Sequence, residues 1–140
     1  MKLSKNFELG EFLVSQTATR QGFKEQFTPP DQVIDNLQCL CVRLLQPLRD
    51  SLPGVMRVSS GYRCERLNKQ IGSTPNSQHV KGQVADIQYY EDDIMDNQKL
   101  LDKLNELKLE YDQCLWEFGG QWLHLSYNYD ENRNQFLKIG

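Results

Sequence analysis

Between residues 113 and 127 the chain carries two short strand-like runs, Gln113 to Phe118 and Gln121 to Tyr127, on either side of Gly119-Gly120. Paired glycines reach the positive φ angles of a two-residue hairpin turn, so the spacing predicts an antiparallel hairpin. Few features restrict a fold more, because register follows from the turn and a slip of one residue sends every side chain to the opposite face. With Phe118 opposite Gln121, Glu117 stands opposite Trp122 and Leu115 opposite His124. One face then carries Gln113, Leu115, Glu117, Trp122, His124 and Ser126. The other carries Cys114, Trp116, Phe118, Leu123, Leu125 and Tyr127 and is the expected core face.

The chain has two histidines, and the second constraint comes from the other one. It lies in Ser77-Gln78-His79-Val80-Lys81-Gly82-Gln83-Val84-Ala85-Asp86-Ile87. Thr74 to Ser77 is turn-forming and Gly82 permits a close backbone approach, so His79 is expected on a loop that doubles back into a strand from Val84 to Tyr90. Alternation puts Val84, Asp86, Gln88 and Tyr90 on one face and Ala85, Ile87 and Tyr89 on the other. A catalytic zinc site uses three protein ligands and leaves the fourth corner of a tetrahedron open. His79, Asp86 and His124 supply that count for one ion. Glu117, one diagonal step from His124, is placed to take a proton from an attacking water. On spacing alone the commoner role for a single histidine is a surface or hydrogen-bonded one.

Ser77-x-His79-x-x-Gly82-x-x-x-Asp86, followed far downstream by Trp122-x-His124, resembles the signature of the zinc D-alanyl-D-alanine carboxypeptidase family, which includes bacterial carboxypeptidases and phage L-alanyl-D-glutamate endopeptidases. Similar landmarks run in the family's order along most of the chain. They are Leu3 to Phe7 with Glu11-Phe12, Ser15 to Ala18, Leu45 to Arg49, Ser59 to Arg63, Asn68 and Asn132-Arg133. The resemblance implies an α+β fold of the hedgehog/DD-peptidase type, a small antiparallel sheet with helices packed on one face. It also implies a zinc-dependent peptidase acting on peptidoglycan stem peptides, of D,D-carboxypeptidase or L,D-endopeptidase type, with His79, Asp86 and His124 as ligands.

Further roles follow from that resemblance. Arg63 matches an active-site arginine, suited to a developing oxyanion or to a substrate carboxylate; the alternative is a surface arginine at a helix start. Ser77, Gln78, Trp122 and Ser126 are candidates for supporting the ligands or touching substrate, with a purely structural role for Ser77 and Gln78 as the alternative. Two positions depart from the pattern. Val84 stands where relatives commonly have Ala, and Gln121 stands where several carry an acid three residues before the last histidine. An amide has no basic oxygen at neutral pH, so the expected base is Glu117.

Elsewhere the patterning predicts helices. Apolar residues from Val33 to Leu48 recur at helical spacing after Pro29-Pro30-Asp31, with Pro47 expected to end or kink that helix near Asp50. A short strand is expected at Val55 to Ser59, a second helix from Tyr62 to Ile71 with Arg63 at its opening, and a third from Glu91 to Leu109 with acids at its start. Asn128 to Gly140 holds Arg133, Phe136, Leu137 and Ile139 for a last docking segment.

At 140 residues, with 39% hydrophobic and 25% charged residues, the chain suits one domain spanning residues 1 to 140. The net charge of -3 with scattered lysines and arginines excludes a basic nucleic-acid groove. No apolar run approaches the length of a membrane span, and residues 1 to 20 lack the apolar core of a signal peptide. The expectation is a monomer, cytoplasmic as made, encoded by a phage or prophage and reaching the cell wall after release. Cys39, Cys41, Cys64 and Cys114 are expected as reduced thiols, mostly buried, with Cys64 the one closest to the site through its neighbour Arg63. A non-catalytic binding or structural module on the same zinc fold is the competing reading.

Overall fold

Chain order in the computed structural model, which describes residues 1–140, opens with a two-stranded ribbon of β1 (Lys2–Ser4) and β2 (Phe7–Glu8) and a short helix α1 (Gln16–Gln21). The predicted main helix is one continuous rod made of α2 (Asp31–Leu40), a wider π turn (Cys41–Leu45) and α3 (Gln46–Asp50). Pro47 lies in the last turn, and the helix ends at Asp50 as expected. The wide turn lies immediately before the proline, where loosening the ladder relieves the clash of its ring with the preceding turn. There follow β3 (Val55–Ser60), α4 (Glu65–Gln70), the single-turn α5 (Gln78–Lys81), β4 (Val84–Glu91), β5 (Ile94–Met95), α6 (Asn97–Leu107), β6 (Gln113–Glu117), β7 (Trp122–Ser126) and β8 (Gln135–Ile139).

Strands β3-β4-β7-β6-β8 form one sheet in that order, and β5 also pairs with β4. The architecture is α+β, as expected. Its pairs are antiparallel except β6 with β8, so the tail turns an antiparallel sheet into a mixed one. The hairpin register is the expected one, with Glu117 opposite Trp122 and Leu115 opposite His124. Its turn is longer than two residues: Phe118, Gly119 and Gly120 all take positive φ, at 47°, 69° and 89°. The reason lies outside the hairpin, because the Phe118 N–H donates to the Ile139 carbonyl of β8 at 2.8 Å and cannot pair across to β7. Phe118, expected in the core, is instead 57% exposed.

Ala85, Ile87, Tyr89, Cys114, Leu123 and Leu125 join Leu37, Leu40, Leu44 and Leu48 of the long helix and Leu100 and Leu104 of α6 in a cluster of 26 buried residues. Each of the leucine and isoleucine side chains contributes roughly 1.5 to 3 kcal/mol on burial. That face of the sheet is thus committed to packing, and the alternation leaves Asp86, Leu115, Glu117, Trp122 and His124 on the other.

Two helix boundaries differ from expectation. The second helix starts at Glu65 and not at Tyr62: Cys64 holds extended backbone at ψ 162°, the Tyr62 carbonyl accepts Gln26 Nε2, and the segment is tied to distant partners. Tyr62 donates to the Phe12 carbonyl at 2.8 Å, Arg63 to the His79 carbonyl at 3.1 Å and Cys64 to Gln26 Oε1 at 2.8 Å. The third starts at Asn97, since Asp92 and Asp93 sit at positive φ in a turn that pairs β5 back onto β4. Asp96 caps it by accepting the Lys99 N–H at 3.1 Å, and Ile94, expected on the apolar stripe, is 70% exposed. No helix is long and apolar enough to cross a membrane.

Candidate metal centre

Asp86 of β4 and His124 of β7 are direct cross-strand partners, so the sheet itself brings a carboxylate against an imidazole from 38 residues away. His79 arrives from α5, a helical turn and not the expected loop. Ser77 caps that turn by accepting the His79 N–H at 3.2 Å. Gly82 ends it in the left-handed region at φ 73°, where a Cβ would also lie 2.8 Å from Val33.

The three side chains offer ligand atoms that all lie within 4.8 Å of one another. His79 Nε2 is 3.6 Å from Asp86 Oδ2, and His124 Nδ1 is 3.0 Å from Asp86 Oδ1. The imidazole centroids are 5.3 Å apart with the rings at 73°. His79 Nδ1 sits 2.6 Å from the Gly61 carbonyl, which can only accept, so Nδ1 carries the proton and Nε2 keeps its lone pair toward Asp86. Gly61 itself is tightly held: a Cβ there would lie 2.7 Å from the Phe12 carbonyl oxygen.

Burial brings the His79 pKa down to about 4, with nearby Arg63 and His124 acting in the same direction against the pull of Asp86 and the Gly61 bond. His79 is therefore neutral at pH 7, and its contact with Asp86 is not an ion pair. Neutral imidazole and ionised carboxylate are the forms a divalent cation binds. Two nitrogen donors and one oxygen donor from three elements fit a zinc-like ion with an open position.

Arg63 lies at the rim, with Nη2 4.0 Å from Asp86 Oδ2 and 3.4 Å from Ser60 Oγ. Burial lowers its pKa while Asp86 and Glu117 oppose the shift, and a guanidinium so placed stays charged. Glu117 shares the hairpin face with His124 and accepts a hydrogen bond from the Trp122 indole N–H. Trp122 thus orients the carboxylate.

Gln78 and Ser126 make no direct contact with the three converging side chains through their hydrogen bonds: Gln78 Nε2 donates to Asp112 Oδ2 at 2.9 Å, and Ser126 Oγ accepts the Gln113 N–H at 2.9 Å. Cys64 belongs to the core. All four cysteines are free thiols, three of them buried. A groove of about 890 Å³ beside α2, lined by Gln32, Asn36, Cys39, Arg43, Lys81 and Tyr129 among others, holds none of the three; volume alone does not locate the chemistry.

Sequence reasoning missed Gln26, whose side chain is fully buried and binds the Leu13 and Tyr62 carbonyls and the Cys64 N–H, fixing the segment that carries Arg63. It also missed Asp112, which is 3% exposed and holds Arg133 through two side-chain hydrogen bonds at 2.8 and 2.9 Å. A lone acid before a strand gives no local signal of such a partner.

No curated protein matches the chain. The peptidase M15 profile matches residues 5–109, three-quarters of the sequence. The match takes in Arg63, His79 and Asp86 and stops before the hairpin that supplies Glu117 and His124. With two of the three converging side chains inside the matched span and the third set against them by strand pairing, the chain belongs to the peptidase M15 family and is a metallopeptidase.

Proposed function

We propose that the protein is a zinc-dependent peptidase that cleaves peptide bonds in peptidoglycan stem peptides, of D,D-carboxypeptidase or L,D-endopeptidase type. The observation that carries this reading is the convergence of His79, Asp86 and His124 donor atoms within 4.8 Å on the sheet face left free by the core. In this reading those three residues hold one zinc ion, His79 through Nε2 and Asp86 through its carboxylate. Bound there, zinc supplies Lewis acidity toward the scissile carbonyl and lowers the pKa of the attacking water.

The chain's own residues do the rest. Glu117, held by the Trp122 indole, takes the proton from the attacking water and returns it to the leaving amine. Arg63, anchored by its backbone bond to His79, presents a positive charge to the oxyanion as it forms. The Gly61 carbonyl keeps the His79 proton on Nδ1. In this reading the partner is the stem peptide and not nucleic acid, for which a net charge of -3 supplies no broad positive field, and the protein is a monomer that reaches the wall after release.

The test is digestion of purified peptidoglycan with the zinc-loaded protein and identification of the new termini by mass spectrometry. Free D-alanine marks the carboxypeptidase activity and cleaved stem peptides the endopeptidase. A zinc-loaded protein that releases neither, while hydrolysing other peptides, would overturn the substrate.

A further inference from the structure

We propose that Asp112 and Arg133 form a positioning device for His79, transmitted through the side chain of Gln78. The inference rests on the proposed ligand set. It begins with α5, which at four residues is far too short to hold its own shape. Where His79 sits therefore depends on what grips this turn from outside. Asn36 Nδ2 donates to the Lys81 carbonyl at its far end at 2.9 Å. At the near end Gln78, the residue before His79, reaches 34 positions along the chain to Asp112.

Asp112 is built to be that anchor. It is a buried carboxylate, which costs several kcal/mol unless its charge and lone pairs are met. Arg133 meets the charge with three donors: its backbone N–H at 3.1 Å and Nε at 2.8 Å, both to Oδ1, and Nη2 at 2.9 Å to Oδ2. Gln78 adds nothing to the charge balance. Its effect is geometric, since it ties the first residue of α5 to an oxygen already fixed by a forked pair.

Asp112 also holds the other ligand-bearing element. Its backbone N–H donates to the Ser126 carbonyl at 2.8 Å, two residues beyond His124 on β7, and its carbonyl accepts the Gln135 N–H at 3.0 Å as β8 begins. One residue thus fixes the His79 turn and the His124 strand relative to each other. Arg133, from the tail, locks it. Outer partners that orient ligands are commonly worth about 10- to 100-fold in metal affinity.

The test compares Gln78→Leu, Arg133→Ala and His79→Ala with the parent by zinc competition against a chelator and by the visible absorption of the cobalt-substituted protein. Circular dichroism checks the fold. The expected result is that Gln78→Leu and Arg133→Ala are folded, bind zinc about 10- to 100-fold more weakly, and show an altered cobalt band. Should Arg133→Ala fail to fold, Gln78→Leu decides, because it removes only the link and leaves the Asp112–Arg133 pair intact. Affinity within twofold and an unchanged band in Gln78→Leu, while His79→Ala loses the metal, would overturn the positioning role and leave the ligand set standing. Unchanged zinc binding in His79→Ala would overturn the ligand set, and the positioning role with it.

Discussion

Asp86 Oδ1 lies 3.0 Å from His124 Nδ1 across adjacent strands, although 38 residues separate them in the chain. The pairing of β4 with β7 sets these two side chains together, and only His79 rides on a less regular element. Replacing His79 with Ala should leave a folded protein, since the core lies on the other face of the sheet, and weaken zinc binding by more than roughly 100-fold, beyond the loss of an outer partner. Metal analysis after dialysis against a chelator checks this. Full stoichiometry would remove His79 from the ligand set.

Glu117→Gln keeps the shape and an oxygen for the Trp122 indole while removing the basic site. The expected outcome is retained zinc with turnover down by about 100-fold or more. If that variant cleaves at the parental rate and Gln121→Glu speeds the enzyme, the proton goes to another group.

Arg63→Ala should cost roughly 100- to 1000-fold in turnover with little change in zinc affinity, because the guanidinium stands 4.0 Å from Asp86 and is not a donor to the ion. Arg63→Lys should recover only part, as an ammonium cannot reproduce the planar fork. Parallel kinetics and metal titration separate the two effects.

Acid stability offers a check on Asp112. The Arg133 guanidinium beside it is the main cause holding its carboxyl below the usual 3.8, with Gln78 helping and burial opposing. A depressed folded-state pKa means stability that is present above the unfolded value and lost as pH falls through the folded one. Removing the charged acceptor in Asp112→Asn should cost on the order of 1.5 to 3 kcal/mol at pH 7, the range for hydrogen bonds to charged groups, and its deficit relative to the parent should shrink below about pH 4. Urea midpoints of the metal-free proteins from pH 7 to 3 measure it. A deficit independent of pH would assign the loss to packing and not to charge.

The strand register was legible because alternation and the glycine pair act locally: Leu115 opposite His124 follows from counting. Alternation gives the faces that Asp86 and His124 take, but not that β4 lies beside β7, so the convergence of the two with His79 was suggested by the motif resemblance and shown by strand pairing. The helix starts were not legible, because Tyr62, Arg63 and Cys64 look helical in isolation, while the Tyr62 carbonyl is taken by Gln26, 36 positions away, and Cys64 is held extended. The turn at Phe118 was misread for a related reason, its N–H being taken by β8. The Gln78–Asp112–Arg133 chain spans 55 positions and leaves no periodic trace.

Gly61 joins two remote parts of the molecule. Its carbonyl selects the His79 tautomer, and its bare α-carbon lets the backbone close against Phe12, whose own carbonyl receives the Tyr62 N–H. The first dozen residues, which supply no ligand, thus stand in mechanical series with an imidazole. Trimming the chain past Phe12 would strand the Tyr62 N–H and slacken the strap that holds Gly61. The injury would be felt at Nε2, across the ring from the bond that loosened.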